Sequence, residues 1–432
     1  MERKLSSLFE TAVKNGQVPG IGAFVVDETG SFIFKETFGS TQLDDPTAPA
    51  FDADTILQMF SCTKLLTTIA ALQLIEQGKL STSDHVEQYV SAMSKIQVLD
   101  YNEQEGEGLV SSLRLPKSKP TILQLMNHTA GFSYDFLDHP TLAWRTSTGR
   151  PPAQYYTVGD WVDFEYPLVA DPGTKYTYGI STDWLGFVVE AVSKMRLPEY
   201  INSQILAPLG MKDTAAIPRP GRAKLAVHFD INDRLVGDPS LKYAESPEAF
   251  GGGASIYSTL NDYAKLLATL LNGGTSPVTG EAILARETVK DYLFTDLLPS
   301  EVDKSLLGKF HPTIPLLSLE GTLMSTLPSE ARGCSAGLLL NHVDMPHGRK
   351  AGSAAWCGLG NLYYWIDPSS KIAGMVGTSV LPFLNSTVLH LFDEVERAAY
   401  DNELSGTQKD GEGGKIVRLE KMIVNAPRMT AA

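Results

Sequence analysis

A serine and a lysine three residues apart, Ser61 and Lys64, form a pair whose types and spacing could carry out chemistry. Side chains three residues apart on an α-helix share one face, with Cβ atoms about 5–6 Å apart, so the amine would reach the hydroxyl. A serine becomes a nucleophile when a neighbouring base takes its proton, and a desolvated lysine is such a base because burial lowers its pKa. The apolar run from Leu65 to Ile75 predicts a buried helix directly after the pair. The alternative is a solvated pair on a helix surface.

Tyr178, which alternates with another tyrosine after a Pro–Gly turn, is a second candidate. The ordinary interpretation of this pattern is a surface strand whose aromatic rings pack. The catalytic interpretation needs the phenol next to Ser61, with its pKa lowered by Lys64 so that tyrosinate can act as a base. Local sequence favours the packing interpretation.

Small residues in the stretch from Ala355 to Gly360 predict a strand that another backbone or a ligand approaches closely. As an edge strand it could supply a backbone N–H to a developing oxyanion, and the alternative is a bulge that contains glycine. His128 precedes a turn and could pair with a serine. A single histidine in that position is more often a structural hydrogen bonder.

Composition excludes several classes of function. The net charge of -14 and the isoelectric point near 5.1 argue against a nucleic-acid surface. The three cysteines cannot all pair and have no metal-ligand spacing, and the glycines at 251–253 lack the Lys-Ser/Thr of a phosphate loop. We therefore expect no metal, no cofactor and no nucleotide.

No signal peptide and no membrane-spanning run is evident, so we expect a cytoplasmic protein.

The order of helix and strand patterns predicts one interrupted domain. Helical spacing occurs at 5–17, 63–77, 121–126, 158–164, 183–192, 198–206, 259–271 and 384–400, and strand patterns occur at 21–26, 31–34, 333–341, 355–367 and 371–380. Strands at both ends predict an α/β sandwich from residues 1–79 and 247–402, with a mainly helical insertion at 80–246. The tail at 403–432 has linker composition. Residues 276–331 have no assignable pattern and are a candidate lid over the cleft.

Together these motifs resemble the serine β-lactamase superfamily, in its class C-like esterase and acyltransferase branch. The resemblance is closest to fungal secondary-metabolite acyltransferases such as that of the lovastatin pathway, and family VIII carboxylesterases are nearly as similar. It runs in order from about residue 5 to 400. It rests on the segments 61–68, 125–132, 172–186, 250–253, 356–358 and 365–368.

This resemblance implies an α+β fold, in which helices flank an antiparallel sheet and a mainly helical domain is inserted. It also implies a catalytic set of Ser61, Lys64 and Tyr178, with the backbone N–H groups of Ser61 and Leu359 holding the oxyanion. Substrate contacts are implied for the side chains or backbone of Tyr134, Trp356, Gly358 and Tyr364.

Two departures from the pattern concern penicillin-recognising members of the superfamily. Those members have the motifs Tyr-x-Asn and Lys-Thr-Gly. In this chain Ile180 occupies the position of the asparagine, and Trp356-Cys357-Gly358 replaces Lys-Thr-Gly. The cation that would bind a lactam carboxylate is therefore missing. This makes a β-lactamase the less favoured interpretation.

The predicted function is a serine acyltransferase of fungal secondary metabolism that forms an acyl-enzyme at Ser61. The implied partners are an acyl ester or thioester donor and a small-molecule alcohol acceptor, and an acyl carrier domain of a polyketide synthase is a candidate source of the acyl group. A carboxylesterase that uses water is the main alternative. A catalytically silent binding module is a further alternative, and the intact Ser61, Lys64 and Tyr178 argue against it.

Overall fold

The computed structural model describes residues 2–101, 110–150 and 159–401, so the predicted tail at 403–432 lies outside the described residues. The strands are β1 (Gly20–Asp27), β2 (Phe32–Gly39), β3 (Leu57–Gln58), β4 (Val98–Tyr101), β5 (Val110–Arg114), β6 (Val227–Asp230), β7 (Leu235–Asp238), β8 (Tyr257–Ser258), β9 (Lys309–Phe310), β10 (Gly321–Thr322), β11 (Arg332–Cys334), β12 (Leu339–Asn341), β13 (Ala354–Gly358), β14 (Leu362–Asp367), β15 (Ile372–Gly377) and β16 (Val380–Leu381). The α-helices are α1 (Glu2–Lys14), α2 (Thr63–Glu76), α3 (Ile122–Met126), α4 (His139–Ser147), α5 (Ser181–Ser193), α6 (Leu197–Ile201), α7 (Ala207–Leu209), α8 (Leu260–Leu271), α9 (Arg286–Thr288) and α10 (Ser386–Tyr400).

A seven-stranded antiparallel sheet, in the order β11-β12-β13-β14-β15-β1-β2, joins the two ends of the chain. Side chains alternate across it, so Ala23 and Val25 pack in one core while Phe24 and Val26 pack in the other. Helices α1 and α10 contribute to the first core, and α8 packs on β1 and β15 in the second. The predicted antiparallel sheet flanked by helices is confirmed.

Helix α2 begins at Thr63 and is buried along most of its length, as the apolar run predicted. Every residue from Thr63 to Leu74 is buried, because α2 packs against α5 and α6 as well as within the core below the sheet. A helix that is apolar on all sides is stable only in such a position. Lys64 is thereby carried into the interior.

The stretch predicted as a mainly helical insertion contains strands as well as helices. β4 pairs with β5, and β6 and β7 form a small sheet with β16 from the C-terminal part of the chain. Residues 227–238 therefore pack with the C-terminal part, although the predicted boundary lies at 246/247. The division of the chain into two domains stays a prediction.

Two stretches predicted as strands are hairpins. The first is β11 and β12, which turn at Gly337 with a φ of +83°, and the second is β13 and β14, which turn at Asn361 with a φ of +61°. Glycine and asparagine are the residues that most readily adopt a positive φ, so both turns follow from their chemistry.

Residues 276–331, which had no assignable pattern, contain only short elements. These are α9, a π-helical turn at Val289–Leu293, 3₁₀ turns at Lys304–Leu306 and Ser329–Ala331, and the hairpin of β9 and β10. Elements of two to five residues are too short to produce a detectable period. Among the described helices, none has the length and apolar character needed to cross a membrane. The cytoplasmic location stays a prediction.

Candidate active site

Ser61 lies in a 3₁₀ turn, Phe60–Cys62, that leads directly into α2. The residue before it, Phe60, has a φ of +45°, a conformation that a bulky side chain rarely adopts. The Phe60 N–H donates to the Tyr243 hydroxyl at 2.8 Å, and the two rings meet edge to face with centroids 6.0 Å apart. These contacts hold the turn in its unusual shape.

The structure brings Ser61, Lys64 and Tyr178 together. Lys64 Nζ lies 3.1 Å from Ser61 Oγ, and the Tyr178 hydroxyl donates to the same oxygen at 2.6 Å. The serine and lysine meet because they are one helical turn apart. Tyr178 reaches them from the segment just before α5, 117 residues along the chain from Ser61.

Lys64 uses all three of its N–H donors in this site. Besides Ser61, Nζ contacts the hydroxyl of Tyr134 at 2.9 Å and the backbone carbonyl of Gly253 at 2.9 Å. Burial lowers the pKa of Lys64 to about 8, and the charge of Asp183 opposes that shift. A lysine with this pKa is partly neutral near pH 8 and can then accept a proton.

The expectation that Tyr178 acts as a tyrosinate is not supported by its surroundings. Burial raises the pKa of the Tyr178 phenol well above its usual value, and the hydrogen bond to Ser61 offsets only part of that rise. The phenol is therefore protonated at rest. Lys64 is the better base of the two, and Tyr178 is placed to pass a proton between the serine and its surroundings.

A cleft of about 490 Å³, counting the space open to solvent, lies in front of Ser61. Its lining is mainly aromatic and aliphatic, and none of the lining residues carries a formal charge. It consists of Phe60, Ser61, Tyr134, Phe136, Leu137, Tyr178, Ala254, Phe310, Ser318, Cys357, Leu359 and Phe383. Such a cleft suits an uncharged, apolar ligand.

Strand β13 meets the nucleophile turn at its end, as its small residues predicted, but it is not an edge strand, because it pairs with β12 on one side and β14 on the other. A Cβ on Gly358 would lie 2.6 Å from the carbonyl oxygen of Met59, so only glycine permits this approach. Leu359, the next residue, lines the cleft together with Ser61. An oxyanion site made by the N–H groups of Ser61 and Leu359 is consistent with this placement and stays a prediction.

The chain is similar in sequence and in structure to proteins that have been named. The Beta-lactamase family model matches residues 5–388. The chain belongs to the Beta-lactamase family. It is 27% identical over 407 residues to a monacolin J acid methylbutanoyltransferase from Aspergillus terreus, covering 92% of this chain and 95% of that protein. It is also 27% identical over 381 residues to a lovastatin esterase from Penicillium rubens, covering 86% and 91% of the two chains.

A mutant of simvastatin synthase (LovD) from Aspergillus terreus is similar in structure, with a TM-score of 0.79, 27% identity, and coverage of 93% of this chain and 95% of that one. Relatives of this Beta-lactamase family protein are thus acyltransferases and an esterase that act on small molecules. The predicted family, fold and enzyme class are confirmed: the protein is an enzyme of the Beta-lactamase family, and its named relatives include acyltransferases and an esterase.

Not every predicted substrate contact lies at the cleft of this Beta-lactamase family protein. Tyr134 lines it, but Trp356, Gly358 and Tyr364 do not. Tyr364 is fully buried and packs edge to face on Tyr263, and Gly358 has the backbone of Met59 against it. Side chains alternate along β13, so Cys357 lines the cleft, whereas Trp356 and its cross-strand partner Tyr364 on β14 pack in the core on the other side of the sheet.

His128 is a packing residue rather than a structural hydrogen bonder. Its ring stacks on Trp356 with centroids 5.8 Å apart and meets Tyr178 edge on at 5.1 Å. Neither ring nitrogen has a hydrogen-bond partner among the described residues. Burial lowers the pKa of His128 to about 3, so the ring is neutral.

We expect His128→Ala to lower the free energy of unfolding by about 3 kcal/mol, because it leaves a cavity between Trp356 and Tyr178. Labelling of Ser61 by a phosphonate probe should persist in the folded variant, since His128 moves no proton. Urea denaturation and mass spectrometry measure the two effects. His85→Ala, at an exposed histidine, is the control and should change neither. Loss of labelling in a folded His128→Ala variant would assign the ring a part in the chemistry.

The aromatic wall of the cleft was not predicted from the sequence. Phe310 and Phe383 come from β9 and from the turn after β16, and they meet edge to face with centroids 5.1 Å apart. Phe310 and Ser318 belong to the stretch at 276–331 that had no pattern, so this stretch does border the cleft, as the lid hypothesis required. No local signal distinguishes these residues from ordinary core residues.

Proposed function

We propose that this protein is a serine acyltransferase that forms an acyl-enzyme at Ser61 and transfers the acyl group to an alcohol of a small molecule. The observation that carries the proposal is that Ser61 Oγ contacts both Lys64 Nζ and the Tyr178 hydroxyl at the edge of an uncharged cleft. A nucleophile, a base and a proton carrier are the parts that acyl transfer needs.

In the first half-reaction, Ser61 Oγ attacks the carbonyl carbon of the donor while its proton passes to neutral Lys64. The oxyanion that forms is held by the N–H groups of Ser61 and Leu359, and loss of one such donor typically costs about 3–4 kcal/mol. Tyr178 then gives its proton to the leaving oxygen or sulfur and is reprotonated from Lys64. In the second half-reaction the acceptor hydroxyl attacks the acyl carbon and Lys64 takes its proton; the bond from that carbon to Ser61 Oγ then breaks, and the proton passes from Lys64 to Ser61 Oγ.

The lining of the cleft supports a neutral, apolar acyl group. Phe136, Phe310 and Phe383 would contact such a group, and none of the described residues that line the cleft is a cation that could pair with an anionic one. The name of the Aspergillus terreus relative specifies a methylbutanoyl group. We extend the proposal to a short branched acyl group delivered as a thioester by an acyl carrier domain of a polyketide synthase.

An esterase is the second candidate, because one relative is a lovastatin esterase of similar identity. The two activities share the acyl-enzyme and differ in whether an alcohol or water attacks it. The difference depends on how well the occupied cleft excludes water. Tyr134 borders the cleft next to Lys64, and we assign it to acceptor binding in the transferase.

Product analysis with a short neutral acyl thioester, with and without a hydrophobic alcohol, tests the proposal. We expect the alcohol ester to form faster than the free acid when the alcohol is present. A donor of equal length that ends in a carboxylate is the control, and its kcat/KM should be at least about tenfold lower because an unpaired charge is costly to bury. Free acid as the product with every alcohol tried would assign the protein as an esterase.

A further inference from the structure

Three consecutive glycines, Gly251 to Gly253, lie against α2 and the start of α5. A Cβ on Gly253 would be 2.6 Å from Oδ2 of Asp183, and a Cβ on Gly251 would be 2.8 Å from Oδ1. Glycine at these positions therefore allows the carboxyl group of Asp183 to approach the loop backbone. Neither glycine has a positive φ, so close approach rather than backbone conformation accounts for the residue type.

Asp183 is a buried acid in the first turn of α5, with 2% of its surface exposed. Its Oδ1 accepts the N–H of Gly253 at 2.9 Å, whereas Oδ2 has no hydrogen-bond partner in the described part of the chain. A buried carboxyl group with one free oxygen is costly to maintain. Burial raises the pKa of Asp183 to about 6, so it is charged at neutral pH.

Gly253 connects this acid to the catalytic lysine. Its N–H donates to Asp183, and its carbonyl accepts Lys64 Nζ at 2.9 Å. The loop is also fixed one residue earlier, because the Thr67 hydroxyl on α2 donates to the Gly252 carbonyl at 2.7 Å. Lys64, Gly253 and Asp183 thus form one connected chain of hydrogen bonds.

The other titratable groups around Lys64 and Asp183 are neutral near pH 7. Burial raises the pKa of the thiols of Cys62 and Cys357 and of the phenols of Tyr134, Tyr166 and Tyr178, and it lowers the pKa of His128 to about 3. Asp135, next to Tyr134, is paired with Arg145 at 3.0 Å. Among the described residues, Asp183 is thus the group that places a negative charge without an ion-pair partner near Lys64.

We propose that Asp183 is a positioning residue, which orients the Gly253 carbonyl on Lys64 through the loop and supplies the negative charge that sets the pH at which Lys64 becomes a base. This rests on the proposed function, in which neutral Lys64 takes the proton of Ser61. A negative charge stabilises the protonated lysine and raises its pKa. Removal of that charge therefore lowers the pKa of Lys64 and makes the base available at lower pH.

Asp183→Asn tests the proposal, because the amide oxygen can still accept the Gly253 N–H while the charge is lost. We expect the rising limb of kcat/KM against pH, measured with a neutral short-chain p-nitrophenyl ester, to shift to lower pH by about one unit. Gly253→Ala, whose Cβ would displace the carboxyl group, should shift the limb in the same direction. Asp262→Asn, at a buried acid of α8 paired with Lys265 at 2.7 Å, is the matched control and should not shift it.

An unshifted limb in folded, active Asp183→Asn protein would overturn the proposal, as would a uniform loss of rate at every pH. If Asp183→Asn does not fold, Gly253→Ala alone tests the proposal, and the expected result is the same shift of the rising limb of kcat/KM to lower pH. These outcomes differ from a failure of the proposed function, in which the native protein itself would show no acyl adduct on Ser61. The circular dichroism and unfolding temperature of each variant report whether it is folded.

Discussion

Ser61→Ala should lower kcat/KM for a short neutral ester by about 10⁴-fold or more and abolish the covalent adduct. The variant loses the oxygen that contacts Lys64 and Tyr178, and without it the reaction has no acyl-enzyme. Loss of the nucleophile in a serine hydrolase removes nearly the whole contribution of the catalytic set, since its members act as a unit. Intact-protein mass spectrometry after treatment with a phosphonate probe measures the adduct, and steady-state kinetics measure the rate.

Ser318→Ala is the matched control for this experiment. Ser318 also lines the cleft, but its hydroxyl donates to the Leu319 carbonyl at 3.0 Å and contacts neither Lys64 nor Tyr178. The variant should be labelled as the native protein is. An adduct that persists in Ser61→Ala would show that the nucleophile is another residue and would contradict an acyl-enzyme at Ser61.

Lys64→Met should lower the rate of Ser61 acylation by about 10³-fold at pH 8, within the range typical of a lost general base. Methionine fills a similar volume in the buried site but cannot accept a proton. Because the pKa of Lys64 is about 8, the native rate should rise with pH through that value as the lysine becomes neutral. The variant should lack this rise. The rate of phosphonate labelling from pH 6 to pH 10 measures both effects.

Lys265→Met provides the comparison, since Lys265 pairs with Asp262 on α8 and does not touch Ser61. This variant should keep both the native labelling rate and its pH dependence. If Lys64→Met retained the rise near pH 8, another group would have to be the base. Tyr178 is the nearest candidate, because it also contacts Ser61 Oγ.

The parts of the site that the sequence predicted are those governed by local geometry. Ser61 and Lys64 lie one helical turn apart, so helix periodicity alone brings them together. Tyr178 was placed by family resemblance, since nothing in its own segment determines that it approaches Ser61. Trp356 and Tyr364 lie opposite each other on β13 and β14 and do not line the cleft, so a role for them in substrate binding stays a prediction.

What could not be predicted depends on contacts between distant segments. Phe310 and Phe383 become cleft residues only when β9 and the turn after β16 pack together. Asp183 was part of a recognisable segment, but its proximity to Gly253 exists only in the folded chain. Two hairpins were predicted as single strands. A single turn residue such as Asn361 is too short an interruption to separate the strand patterns on either side of it.

The positive φ of Phe60 has a consequence for how the enzyme maintains its reactivity. A bulky residue in this conformation typically raises the energy of the folded state by about 1–3 kcal/mol, which distant contacts such as the Tyr243 hydrogen bond must offset. The shape of the nucleophile turn is therefore imposed by the assembled protein and is not the preference of its own segment. The position of Ser61 is therefore maintained at the expense of some stability of the folded chain.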